Sequence, residues 1–420
     1  VIAAAPSRWA DDGLEPLRDH VRSALAMARV LLDEVLDARF RDEDPAGYRK
    51  LASKAGGELA MLLRLARRAL VDDAPASATP RPAPDHHGSD DAAEIRALAV
   101  ALAPHARGSH VTRSLLLRPS RAPMHALAHL CLTELGVEDA ALDRLARRAL
   151  ASSVRAANER VPYRLLDAAW TRHLAFGDGE LAHPALPLSP LGAGVDLLEA
   201  TTEDAYAFSH ALPYATDFGR VALPPHVDRA MLLATAEALA VQALDEDDLD
   251  LLAELLMAPA ILRLPWTPTL TFAWHVLARV WRELGFVPGP GLPPAPADEP
   301  RAHAVRRVVG TTYHTTFAAG LCCATLVACA APPPELPRGA PGDRPVPPGH
   351  GTAWQPVWRA LPRAAQAALP FLELGFAVRR AVATFDLARL RDLLGAAARA
   401  DLVDHPLFVQ ALELLERAHA

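Results

Sequence analysis

Apolar residues recur three and four positions apart along most of this chain, and runs that alternate apolar with polar residues are missing. That period puts apolar side chains on one face of a helix. The pattern predicts an all-α fold, a multi-helical bundle or an α/α-type array of helical hairpins, with no significant sheet. Residues 1–71 read as an N-terminal helical segment and 72–90 as a disordered linker. Residues 91–330 form a central helical domain interrupted by a proline-rich loop at 287–300. A second proline-rich loop spans 331–350, and C-terminal helices fill 351–420. The turn Glu-Leu-Gly-apolar occurs at Glu134–Val137, Glu283–Phe286 and Glu373–Phe376, where each glycine fits a left-handed helix C-cap.

The stretch Thr201–Arg220 departs most from simple amphipathicity. Thr201 is placed to cap a helix, and Glu203 and Asp204 fall where the helix dipole favours acids. At about 100° per residue, Glu203, Tyr206, His210, Tyr214 and Asp217 share one narrow stripe on an otherwise apolar surface. Pro213 lacks a backbone donor, so a kink or break is expected behind His210. Polar stripes on buried helices need partners or line a cavity.

A second stripe lies on the predicted helix 301–330, where His303, Arg307, Gly310 and His314 share a face. Gly310 in mid-helix suggests close approach by a backbone or a ligand. His125 and His129 are four apart, a spacing that lets two imidazoles reach one metal ion. With His210 added they make a candidate divalent-metal set, and the sequence names no cofactor beyond that option. For His314 the competing reading is a core histidine bonded to a carbonyl, and for His125 and His129 a spacing that arises by chance among 17 histidines. Asp245-Glu246-Asp247-Asp248 reads as DxDD, which resembles the proton-donating motif of class II terpene cyclases over those four residues. The competing reading makes Asp245 the N-cap of a helix over 246–257.

Composition narrows the choices. The 420 residues carry a net charge of −7, which argues against a general nucleic-acid binder. No run is long and apolar enough to span a bilayer, and the first residues are too short and uncharged for a secretory signal. Cys131, Cys322, Cys323 and Cys329 include no CxxC pair and fit buried thiols in a cytoplasmic protein. HExxH, GxSxG, Walker and GxGxxG motifs are absent.

The run Glu203-x2-Tyr206-x3-His210-x3-Tyr214-x-Thr216-Asp217-Phe218-Gly219, with Tyr313-His314-Thr315, resembles a family of uncharacterised helical proteins of actinobacteria. The resemblance covers about residues 90–330 and implies an all-α fold with no assigned activity. The residues themselves yield three readings. The first is an enzyme with Glu203, His210, Asp217 and His314 around one pocket, metal- or acid/base-dependent and acting on a small apolar substrate. The second is a small-ligand-binding module, and the third a non-catalytic helical scaffold. Neither a nucleic-acid nor a membrane partner is expected.

Overall fold

In the computed structural model, residues 13–72, 87–152, 161–177, 181, 184–290, 299–347 and 349–419 are described. Several helix starts follow short polar side chains that accept the orphan N–H groups of a first turn. Asp37, Asp44, Asp139, Thr201, Asp228, Asp248, Thr267 and Asp386 all do this. Glycine ends two of the expected turns in the left-handed region, Gly136 at φ 78° and Gly285 at φ 78°. Gly375 departs from that expectation: it lies inside a helix, where an added Cβ would sit 3.0 Å from Val241 Cγ1. Its Glu-Leu-Gly triplet is therefore a packing feature and not a stop.

In chain order the helices are α1 Glu15–Val30, α2 Ala38–Glu43, α3 Pro45–Leu70, α4 His87–Ala106, α5 Ser109–Leu117, α6 Ala122–Glu134, α7 Ala140–Ala151 and α8 Pro162–Phe176. Then come α9 Pro190–Ala193, α10 Thr202–Thr216, α11 Arg229–Asp245, α12 Leu249–Leu255, α13 Ala258–Leu262, α14 Pro268–Leu284 and α15 Arg301–Ala328. The last are α16 Gln355–Ala360, α17 Arg363–Ala367, α18 Pro370–Ala383, α19 Leu387–Arg399 and α20 Pro406–His419. A single π turn, Leu31–Val35, continues α1. No strand occurs among the described residues, so the all-α expectation holds.

Two compact units divide the chain, Val1–His183 with Gly291–Pro332, and Pro184–Pro290 with Pro333–Ala420. The run 91–330 is thus shared between them. Of the expected linker, 73–86 lies outside the described residues, while His87–Asp90 already belongs to α4. Residues 291–298 of the 287–300 loop also lie outside, and 331–350 has no helix among its described residues.

In the first unit α15 packs along α1 and α3, and α3 also holds α4 and α6. The apolar second half of α15 is buried from Thr315 to Val327. There Gly320 lets α1 and α3 come close, since a Cβ on it would meet Ala24 Cβ at 2.7 Å and Leu62 Cδ1 at 3.0 Å. Gly310, the glycine expected to mark such an approach, faces open space, with nothing within 4 Å of an added Cβ. In the second unit α11 is buried over most of its length and packs on α12, α13, α14, α18 and α20. Helix α10 lies against α9, α12 and α13.

Candidate functional site

Helix α10 starts with a capping box. Thr201 Oγ1 accepts the Asp204 N–H at 3.2 Å, and Asp204 Oδ2 accepts the Thr201 N–H at 3.0 Å. Bonds from Thr201 also hold the Asp204 carboxyl below its ordinary range. The helix does not break at Pro213 but runs on to Thr216. It stops because Asp217 and Phe218 turn left-handed, at φ 47° and 56°, ahead of Gly219 at φ 83°. Such angles are strained in non-glycine residues and persist when the surroundings fix them. Here Thr216 Oγ1 accepts the Gly219 N–H, the Phe218 N–H returns to the Pro213 carbonyl, and Asp217 and Phe218 are buried. Asp217 is thus the buried C-cap of α10.

The stripe itself survives from Tyr206 to Tyr214. The Tyr206 and His210 rings lie 5.7 Å apart and those of His210 and Tyr214 6.1 Å apart, with all three residues half-buried. Their polar atoms meet α12. The Tyr206 hydroxyl donates to Asp250 Oδ2 at 2.8 Å. Ser209 Oγ donates to Glu254 Oε2, and His210 Nε2 lies 3.2 Å from Glu254 Oε1. An ionised carboxylate only accepts, so in this pair Nε2 carries the proton and the basic lone pair belongs to Nδ1. Burial pushes the Tyr206 phenol upward, and Asp250 and Asp248 add to the shift. Burial likewise raises Asp248, with Asp250, Glu254 and Glu246 pushing the same way against its bond from the Leu251 N–H. An imidazole oriented by a buried carboxylate can accept and return a proton.

Glu203 is exposed in the first turn of α10. His314 belongs to the first unit, where Nδ1 lies 3.1 Å from Glu58 Oε2 of α3. His125 and His129 also belong to the first unit and His210 to the second. His129 is fully buried, with Nε2 3.8 Å from Asp143 Oδ1, beyond hydrogen-bonding distance. Among the described residues no group of three or more His, Cys, Asp or Glu could hold a metal ion.

The DxDD group is used for structure. Asp248, not Asp245, caps α12, because α11 extends through Asp245 and the chain turns at Asp247, φ 52°. Asp247 binds the Thr352 and Ala353 N–H groups, while Asp245 takes the His350 N–H and Arg380.

Sequence reasoning missed Ser209, Asp250 and Glu254. The signal was present: Asp250 and Glu254 are four apart on an otherwise apolar helix, the same argument that singled out His210.

A model of the domain of unknown function DUF6895 matches residues 24–324. The chain belongs to that family. No curated protein and no solved structure matches it. The family carries no assigned activity, in keeping with what the resemblance implied. Its matched span takes in α10, α12 and most of α15, and so contains both His210–Glu254 and His314–Glu58.

Proposed function

We propose that the second unit carries an acid–base site on His210, oriented by Glu254, that acts on a small apolar substrate. The observation that carries this reading is the half-buried His210 ring, held at Nε2 by a buried carboxylate and flanked by two tyrosine rings. Glu254 fixes the tautomer and stabilises the imidazolium when Nδ1 takes a proton. Ser209 bonds the carboxylate and not the imidazole, so the reading is general acid–base catalysis and not a serine nucleophile. Asp250 holds the Tyr206 hydroxyl beside it. Glu203 and His314 have no role in this site. The same proposal keeps the protein in the cytoplasm and away from nucleic acid, supported by its free cysteines and its net charge of −7.

The test is turnover of a panel of small apolar esters, epoxides and ketones by the full chain. A substrate of the wild type should be turned over about 10²–10⁴-fold more slowly by His210→Ala, the usual range for losing a general acid–base group. Glu254→Gln should lose less, because the amide still accepts a hydrogen bond. Unchanged rates in His210→Ala would defeat the proposal.

A further inference from the structure

The charge of this chain is unevenly spread. Between Ile95 and Thr133 it carries Arg96, Arg107, Arg113, Arg118 and Arg121 and no acid, although the whole protein has a net charge of −7. The centre of that stretch is the corner where α5 passes through a short 3-10 turn, Pro119–Arg121, into α6. Arg113, Arg118 and Arg121 are exposed there, and none makes an ion pair among the described residues. The cationic field is felt by the corner's histidines. Burial lowers His125, and His110, Arg121 and Arg118 lower it further, while Arg49 adds to the burial that lowers His110.

The same corner exposes its large apolar side chains. Leu116 is 63% exposed, Leu117 67% and Met124 66%. Leu116 and Leu117 end α5 and Met124 lies in the first turn of α6, so all three bracket the turn that carries Arg118 and Arg121. Behind them Val111, Leu115, Ala122 and Ala126 anchor both helices in one apolar cluster, so the exposed set sits on a fixed base. A cluster of aliphatic groups in water is unfavourable and marks a contact surface. Guanidinium groups beside it call for an anionic partner with an aliphatic interior.

We propose that the α5–α6 corner is a peripheral docking surface for an anionic lipid bilayer. Leu116, Leu117 and Met124 enter the headgroup–acyl boundary while Arg113, Arg118 and Arg121 meet lipid phosphates, the division of labour of interfacial helices. A nucleic acid would satisfy the arginines but leave the aliphatic groups uncovered, and no aromatic side chain lies among them for bases to stack on. None of the described helices is long and apolar enough to cross a membrane. Surface attachment needs no such helix.

Flotation of the full chain with phosphatidylcholine vesicles, with and without phosphatidylglycerol, tests the proposal. The protein should float with the phosphatidylglycerol vesicles alone and be released by added salt, since headgroup attraction is screened. Leu116→Ser with Leu117→Ser, and separately Arg118→Gln with Arg121→Gln, should each weaken binding by about tenfold or more. Both pairs lie at the surface, so circular dichroism and melting should match the wild type, which separates lost docking from misfolding. Leu188→Ser, which alters an equally exposed residue of the other unit, should bind as the wild type does. No flotation with either vesicle, equal flotation with both, unchanged binding in the paired variants, or binding to an oligonucleotide in place of vesicles would overturn it.

Discussion

Each unit has a histidine and a glutamate about 3 Å apart across two helices. His210 and Glu254 are 3.2 Å apart in one, His314 and Glu58 3.1 Å in the other. Their surroundings differ. Glu254 is buried and also accepts from Ser209, beside the Tyr206–Asp250 bond on the same pair of helices. Glu58 is half-buried and shares its carboxylate with the Lys54 ammonium one turn away, 3.9 Å from Oε1. A carboxylate with a lysine neighbour has its charge met whether or not the imidazole is protonated. Glu254 lies among other acids, and its bonds come from a hydroxyl and the imidazole. A His–Glu contact alone therefore does not tell the two units apart, whereas the second contacts of each carboxylate do.

Replacing each glutamate should sharpen the contrast. Glu254→Ala removes a buried acceptor and leaves Ser209 without its carboxylate, so it should cost about 3 kcal/mol of unfolding free energy. Glu58→Ala touches a more accessible pair and should cost less than about 1 kcal/mol. Urea unfolding of both variants reads the difference. Equal losses would mean that the two pairs do the same structural work.

Two other histidines give both units a matching sensitivity to acid. His129 in the first unit is lowered to about 4, by burial first and then by Arg107, against the pull of Asp143 and Asp139. His405 in the second is also lowered to about 4 by burial, against a bond to the Ala234 carbonyl, with its ring on Phe371. Both titrate at about 6.5 in an unfolded chain. Between those values the unfolded chain holds a proton that the folded one excludes. Stability should thus be intact above 6.5, fall as the pH drops toward 4, and fall no further from these groups below that. Each contributes about 3 kcal/mol across the window as an order of magnitude. His129→Leu and His405→Leu should each flatten part of the decline in chemical denaturation between pH 7 and pH 4.5. A decline unchanged in both variants would show that neither imidazole is kept neutral by the fold.

Much of this was legible beforehand. The three-and-four spacing gave an all-helical chain, and Thr201 with Asp204 marked the start of α10 to the residue. The stripe of Tyr206, His210 and Tyr214 was read correctly as one face. Its partners were not, because periodicity assigns a residue to a face but does not say which helix covers that face. His210 and His314 have similar settings in sequence, and each meets a carboxylate within its own unit. Asp217 was placed by extrapolating a helix that two left-handed residues bring to an end. The acidic group is legible as capping chemistry but not to the residue: Asp248 and not Asp245 caps α12, while Asp245 and Asp247 fasten the 350–353 segment.

The smallest effects come from α15, whose two glycines look alike in sequence. Gly320 faces Ala24 and Leu62, and an added methyl would lie 2.7 Å from Ala24 Cβ. That atom is fixed to the α1 backbone and cannot swing aside, so Gly320→Ala should cost about 1–3 kcal/mol through overpacking. Gly310 meets nothing within 4 Å. Its φ is not positive, so alanine fits the same helical backbone without strain. There Gly310→Ala should restrict the unfolded chain without crowding the folded one, and stabilise by about 1 kcal/mol. Thermal melting of the two variants should move in opposite directions. A loss at Gly310 like that at Gly320 would show that something does approach this half of the helix, as the sequence first suggested.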